Sequence, residues 1–129
     1  MTESSEETKP YAIKFEHRAG YLYVYAHAEK DSFDISLGLW KDVASYCRAN
    51  GFSKVLVEED FGTDNDMTDA YEIMAEARNV GFGGIRIAFV DRHPDQMDSN
   101  LFSETVVRNR GISAKVFATV KEAEEWLLL

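Results

Sequence analysis

Cysteine is nearly absent from this chain, and long apolar runs are absent altogether. The single cysteine, Cys47, excludes an internal disulfide, and so low a number is untypical of secreted proteins. No apolar run approaches the roughly 18 residues that a membrane-spanning helix requires. The first ten residues also lack the apolar core of a secretion signal. We therefore expect a cytoplasmic protein with no membrane span.

Positive charge is scarce as well. The chain has 14 basic residues against 23 acidic ones, which gives a formal net charge of −9. The basic residues are scattered, and the densest pair is Arg108 with Arg110. A field of this sign repels phosphate backbones and anionic lipid surfaces. The composition therefore disfavours a partner that is a nucleic acid or a membrane.

Hydrophobic periodicity predicts one α/β domain over residues 11–129, preceded by a disordered acidic tail at residues 1–10. Two alternating strands separated by a glycine-containing turn predict a hairpin, and strand and helix patterns alternate after it. The predicted order is β-β-α-β-α-β-α-β-α, a mixed sheet with helices packed against it. The predicted strands are 11–15, 21–28, 53–57, 85–90 and 115–118, and the predicted helices begin near residues 35, 67, 99 and 119.

Several side chains mark the ends and inner faces of these helices. Asp31, Ser32 or Asp34 is suited to cap the first helix, and Thr119 with Glu122 forms a capping box for the last. The apolar spacing places Cys47 on the inner stripe of the first helix. It places Phe102, Val106 and Asn109 on the inner stripe of the third.

An acidic segment follows the third predicted strand. Glu58, Glu59 and Asp60 are interpreted as the start of a loop at the carboxyl end of that strand, which leads to a helix beginning at Met67. Open α/β sheets usually place their sites at such an edge. A helix N-terminus favours anions, but here the protein's own carboxylates occupy it. The segment therefore argues against a phosphate or nucleotide site.

Other chemical sites find little support in the spacing of residues. The acidic residues 64–69 lack the glycine of a calcium loop, and the three histidines share no helical spacing with another ligand type. His93 is expected to be exposed beside Pro94. Cys47 on a buried stripe is typical of a small core residue rather than a nucleophile. We assign no catalytic residue, no cofactor-binding residue and no metal ligand.

One strand carries a row of aromatic residues. Strand alternation places Tyr21, Tyr23, Tyr25 and His27 on one face of the second strand. A half-covered sheet face would explain them, because tyrosine packs its ring and keeps its hydroxyl hydrated. The alternative is a homodimer interface or the wall of a small apolar pocket, since aromatic residues are enriched at both.

Motifs spread along the chain resemble one known family. The first half of the chain contributes the hairpin, a helix that ends Cys47-x-x-x-Gly51, and the strand 54–57. The second half contributes four motifs: Phe102-x-Glu104, the segment 106–111, Val116-Phe117 and Glu122-Ala123-x-x-Trp126-Leu127. Together they resemble the SpoIIAA-like branch of the STAS superfamily, which groups sulfate-transporter domains with anti-sigma-factor antagonists. The resemblance spans residues 11–128 and rests mainly on packing positions.

The resemblance implies a non-catalytic regulatory module that binds a protein partner. In regulatory members of that family, a kinase phosphorylates a serine or threonine at the start of the second helix. Here Asp64 or Asn65 occupies that position, so the usual phosphoacceptor is replaced, and an aspartate there either imitates the phosphorylated form or complements the helix dipole. The expected partner-binding loop comprises Phe61, Thr63, Asp64, Asn65, Asp66 and Thr68.

Two other function classes stay open at this point. One is a small-molecule or lipid-binding protein with an apolar pocket beside the sheet, for which the tyrosine row would form the wall. The other is an enzyme that depends on Glu58, Glu59 or Asp60.

Overall fold

Five strands form a single sheet in the computed structural model, which describes residues 11–30, 32–62 and 77–129. The sheet order follows the chain order from β1 to β5. The described elements are β1 (Ala12–Arg18), β2 (Tyr21–Ala28), α1 (Phe33–Asn50), β3 (Lys54–Phe61), α2 (Ala77–Val80), β4 (Arg86–Asp91), a 3₁₀ turn (Pro94–Gln96), α3 (Met97–Asn109), β5 (Ser113–Phe117) and α4 (Val120–Leu127).

The sheet is mixed, as the sequence predicted. β1 and β2 are antiparallel and are joined by the two-residue turn Ala19–Gly20, where Gly20 has a φ of 88°. A positive φ of this size is readily adopted only by glycine, which explains the turn residue. β2, β3, β4 and β5 then pair in parallel. The parallel portion begins where helices start to connect the strands, because parallel neighbours require a crossover connection.

Helices cover both faces of the sheet. On one face, apolar residues of α1 such as Leu39, Val43 and Cys47 pack against Val24 and Val57. On the other face, Ala123 and Leu127 of α4 pack against Leu56 and Ala88. The central strands are therefore buried on both sides, which explains why β4 is almost continuously apolar.

The helix ends use the caps that the sequence suggested. Ser32 caps α1, and its hydroxyl accepts a hydrogen bond of 3.2 Å from the backbone N–H of Ile35. Gly51 ends the helix in the left-handed conformation. Thr119 caps α4 by accepting from the backbone N–H of Glu122, and its hydroxyl donates to the Glu122 carboxylate. Of the three candidate caps for α1, Ser32 is therefore the one used.

The third strand is longer than the sequence predicted. β3 continues through Phe61, so Glu58, Glu59 and Asp60 belong to a strand and not to a loop. Its extension pairs with β2, where Tyr25 lies opposite Glu58 and His27 opposite Asp60. Acidic residues are unfavourable in strands by intrinsic preference, but pairing with an existing strand outweighs that preference.

The third helix differs from its prediction in length and in rotation. It begins at Met97, two residues early, and is preceded by a 3₁₀ turn that starts with Pro94. Its buried residues are Val106 and Val107, whereas Asn109, which was placed on the inner stripe, is exposed. The apolar pair at 106–107 sets the buried side of the helix, and an amide gains nothing from taking that position.

Some predictions concern residues that the structure does not describe. The acidic tail at 1–10 lies outside the described residues, and so does the second predicted helix up to residue 76. The segment Ala77–Val80 is helical, in agreement with that prediction. Across the described ranges, no helix combines the length and apolar character required to cross a bilayer.

Candidate functional site

The carboxyl ends of β2, β3 and β4 form one edge of the sheet, which we call the carboxyl edge. Strand alternation turns Glu58 and Asp60 toward the face that carries the tyrosines, while Glu59 points to the α1 side and is buried. The polar side chains of this edge therefore fall into two groups separated by the sheet.

The tyrosine row lies on one face, as predicted. Each hydroxyl donates to a carboxylate of a neighbouring element: Tyr21 to Glu124 at 2.7 Å, Tyr23 to Glu58, and Tyr25 to Asp60 at 3.2 Å. We name Tyr21, Tyr23, Tyr25 and His27 the tyrosine face. Because its hydroxyls donate to carboxylates of the same protein, this surface is polar and is joined to neighbouring elements by hydrogen bonds. Its expected use as an interface or pocket stays a prediction.

Glu58 is the most deeply buried carboxylate of this face. Its side chain is only 11% exposed, and its two oxygens have separate donors. One accepts from the Tyr23 hydroxyl, and the other accepts from Nε of Arg92 at 2.8 Å. Burial, followed by the hydrogen bond to Glu58, raises the pKa of Tyr23, so this tyrosine stays protonated and remains a donor. A buried charge with a cationic partner and a hydroxyl partner satisfies the general requirement for burying an ion.

Asp60 lies between two imidazoles. Nε2 of His93 lies 2.8 Å from one carboxylate oxygen, and Nδ1 of His27 lies 3.5 Å from the other. The hydrogen bond from His93 is the largest cause that lowers the pKa of Asp60, with smaller contributions from Tyr25 and His27. The expectation that His93 would be exposed is wrong, because its ring is half-buried against Asp60.

The connection between β4 and α3 is attached to the end of β3. The backbone N–H of Arg92 donates to the carbonyl of Glu59 at 2.9 Å, and the Gln96 amide donates to the carbonyl of Phe61. Within the connection, Asp91 accepts from the backbone N–H of His93 and from the side chain of Asn100. Burial raises the pKa of Asp91. These bonds hold Arg92 and His93 where their side chains reach Glu58 and Asp60.

Cation–π contacts complete the tyrosine face. The Arg18 guanidinium lies 3.9 Å from the ring centroid of Tyr23, and that of Arg92 lies 5.0 Å from the centroid of Tyr25. Arg18 also donates to the Tyr21 hydroxyl and to Glu16. Positive groups over tyrosine rings, with carboxylates at the hydroxyls, give this face alternating charge rather than one sign.

Two residues at the end of β3 fix where the chain leaves the sheet. Phe61, which was assigned to the partner-binding loop, is 1% exposed and packs in the α1-side core. Gly62 follows it and donates to the carbonyl of Ala28. A Cβ atom at Gly62 would lie 1.8 Å from the carbonyl oxygen of Glu29, so only glycine permits this approach. Phe61 therefore anchors the loop and does not offer its side chain to a partner.

The rest of the expected partner-binding loop, namely Thr63, Asp64, Asn65, Asp66 and Thr68, lies outside the described residues. Among the described residues, no group of three or more His, Cys, Asp and Glu side chains has a geometry that could hold a metal ion. Cys47 is buried in the α1-side core, and burial raises the pKa of its thiol to about 11. A thiol in that state is a poor nucleophile.

The tyrosine face is predictable from the sequence, whereas its cationic partners Arg92 and His93 were not predicted. Arg92 and His93 directly follow a strand that runs parallel to β3, so their position at the carboxyl edge was readable from the predicted order. Their contacts with Glu58 and Asp60 were not predicted, because those carboxylates were interpreted as loop residues. Recognising them as strand residues restores an alternation in which Glu58 and Asp60 share the face of Tyr23 and Tyr25.

Comparison with known proteins bears on the fold. No protein-family model matches this sequence, and no curated protein matches it at a significant level. Among solved structures, the chain is similar to an anti-sigma factor antagonist from Mycobacterium paratuberculosis, with a TM-score of 0.63 and 11% sequence identity. The superposition covers 95% of this chain and 97% of that protein. The predicted α/β fold is therefore confirmed, and it is the fold of this anti-sigma factor antagonist.

Proposed function

We propose that this protein is a non-catalytic, cytoplasmic regulatory module that acts by binding a protein partner. The observation that carries the proposal is the likeness of fold to an anti-sigma factor antagonist over nearly the whole of both chains. At the carboxyl edge, the end of β3 leads into the loop that the sequence assigns to partner binding.

The chemistry of the carboxyl edge supports a role without catalysis. The carboxylates of Glu58 and Asp60 accept hydrogen bonds from side chains of the same protein. Groups held this way are suited to fixing a surface, because a reactive acid or base needs access to a substrate proton. Cys47, the one thiol, is buried in the core. These contacts favour a rigid sheet edge rather than a reaction centre.

We further propose that partner binding by this loop is not controlled by phosphorylation. Asp64 or Asn65 stands where regulatory members of the resembled family carry the phosphoacceptor hydroxyl. An aspartate supplies one negative charge permanently, against the roughly −1.5 to −2 of a phosphate that a kinase must add. The partner-binding surface on this proposal comprises Thr63, Asp64, Asn65, Asp66 and Thr68, with Gly62 fixing their point of departure.

The proposal is tested by affinity capture of partner proteins from the native cells with the full chain as bait. The loop variant is D64K/N65K, which reverses one charge and adds another. The matched control is E125K/N109K, which makes the same change in net charge at two exposed positions away from the carboxyl edge. Quantitative mass spectrometry of the captured proteins compares the three baits. We expect at least one partner to be retained by the wild type and the control and lost from the loop variant.

Purified partner and bait then give a dissociation constant for each variant by isothermal titration calorimetry. Circular dichroism of each bait checks that the loop variant remains folded. Equal binding by D64K/N65K and the control would overturn the loop assignment, and the absence of any partner common to wild type and control would overturn the proposed function. Intact-mass spectrometry of protein from the same cells checks the independence from phosphorylation, because an added phosphate contradicts it.

A further inference from the structure

β1 is an edge strand, and its backbone has an outer row of hydrogen-bonding groups. In the described part of the chain, it pairs only with β2. Arg18 and Tyr21 flank a two-residue turn, so they form a hydrogen-bonded pair with each other. Hydrogen-bonded and non-bonded positions alternate along an antiparallel pair. The N–H and C=O groups of Ile13, Phe15 and His17 therefore point away from β2, toward the free edge.

The opposite edge of the sheet is different. At β5, the backbone N–H of Val116 donates to the Glu104 carboxylate at 2.7 Å, so a side chain of α3 already occupies that edge. Proteins commonly block sheet edges in this way because an open edge pairs with another strand. β1 has seven residues, and no such blocking contact reaches its outward groups within the described residues.

We infer that two copies of this chain associate through β1, antiparallel and edge to edge, to form one continuous ten-stranded sheet. A symmetric pair requires that each strand meet a copy of itself about a two-fold axis. The charges along β1 determine the register in which the two β1 strands pair. Lys14, Glu16 and Arg18 lie on one face, and opposite charges placed across a strand pair stabilise it while like charges destabilise it.

Only one register satisfies that rule over the whole strand. Centring the pair on Phe15 places Lys14 opposite Glu16 of the second copy, and the two-fold axis repeats this attraction. Centring it on Glu16 places Glu16 against itself and Lys14 against Arg18, whereas centring it on Lys14 places two lysines together. Centring the pair on His17 also places opposite charges together, Glu16 against Arg18, but it pairs only residues 16–18 of the two β1 strands. The Phe15 register also suits the backbone, because Phe15 and its copy both present outward N–H and C=O groups.

The side chains on the other face fit the same arrangement. The Phe15 ring stacks on Tyr46 of α1 with 3.9 Å between centroids, so it is held in place before association. The two Phe15 rings meet at the axis, and Ile13 lies opposite His17 of the second copy. Three residue pairs link the two backbones: Ile13 with His17 of the second copy, Phe15 with Phe15, and His17 with Ile13. Each pair exchanges two backbone hydrogen bonds, which gives six hydrogen bonds in total. Self-association does not depend on the proposed partner binding, because it uses no residue of the loop at 63–68.

Charge swaps at Lys14 and Glu16 test the register directly. The variants K14E and E16K each place like charges opposite one another in both symmetric pairs. K121E makes the same charge change as K14E at an exposed site on α4 and serves as the control. We expect sedimentation velocity to show a concentration-dependent dimer for wild type and K121E. K14E and E16K should each dimerise roughly tenfold or more weakly, since two pairs change from attraction to repulsion.

An equimolar mixture of K14E and E16K should recover the dimer, because each chain then offers the charge that the other needs. A second pair of variants tests the backbone: H17P removes an outward N–H, whereas H17A keeps it and removes the same ring. We expect dissociation with H17P and retention of the dimer with H17A. A wild type that sediments as a monomer at every concentration would overturn the inference. So would single variants that dimerise like K121E, or a mixture no stronger than its components.

Discussion

The hydrogen bond between Tyr23 and Glu58 makes a sharp prediction about stability. Glu58 is 11% exposed on its side chain, so water can replace the tyrosine hydroxyl only in part. Tyr23→Phe removes that hydroxyl and leaves the ring in contact with Arg18. Hydrogen bonds to charged groups contribute about 1.5–3 kcal/mol, and leaving a buried acceptor without its donor costs a similar amount. We expect the free energy of unfolding to fall by about 1.5 kcal/mol.

Tyr25→Phe is the matched control. It makes the same chemical change on the same strand and face, but its partner Asp60 is 28% exposed and accepts at 3.2 Å. Water can replace that hydroxyl more completely, so we expect a loss of about 0.5 kcal/mol or less. Urea unfolding followed by circular dichroism gives both values. The Tyr23 variant should also melt about 5 °C lower, given the unfolding entropy of a domain of this size.

A double-mutant cycle with Glu58→Gln separates the hydrogen bond from other effects of the substitution. If the Tyr23 hydroxyl acts through the Glu58 charge, its removal should cost clearly less in the Glu58→Gln background, with a coupling of about 0.5 kcal/mol or more. Equal losses for the two tyrosine variants would refute the reasoning from burial. A cycle without coupling would refute the assignment of the loss to this contact.

Two further predictions concern the end of β3. Gly62→Ala should destabilise the protein by about 2 kcal/mol or more in urea unfolding, because the new Cβ meets the Glu29 carbonyl at 1.8 Å. Gly83→Ala, where a Cβ has no neighbour within 4 Å, should change stability by less than about 1 kcal/mol, and equal effects would contradict the close approach. The folded-state pKa of Asp60 lies below 3.8, so its stabilising contribution is present above that pH and is lost as the pH falls through the lowered pKa. The stability advantage of wild type over Asp60→Asn should therefore be larger at pH 5 than near pH 3, and an advantage that grows on acidification would reverse the sign.

The predictable part of this fold was the part set by local patterns. Alternation placed the tyrosines on one face, and the apolar spacing placed Cys47 in the core, because both signals depend only on which side of one element a residue occupies. The resemblance to the SpoIIAA-like STAS branch added the overall arrangement. It did so through packing positions, which determine a fold even where sequence identity is low.

The features that were not predicted from the sequence depend on pairing between distant segments. Whether Glu58 and Asp60 continue a strand is decided by β2 beside them and by Arg92 and His93 from the next connection. No local propensity contains that information, since isolated acidic residues disfavour strands. The rotation of α3 was missed for a similar reason. Its neighbours bury Val107 beside Val106, whereas the apolar spacing alone had placed Asn109 on the inner stripe.

The length of β3 also changes how mutations at this edge must be interpreted. A search for an acidic catalytic residue would begin with Glu58, Glu59 and Asp60, and substitutions there would reduce many measured functions. These residues are part of the sheet, and the first two are buried, so such a loss would follow from destabilisation alone. A functional role is better tested beyond Gly62, where substitutions change no residue of β3. Loss of partner binding in D64K/N65K at unchanged unfolding free energy would locate function in the loop, whereas loss that tracks stability would locate it in the sheet.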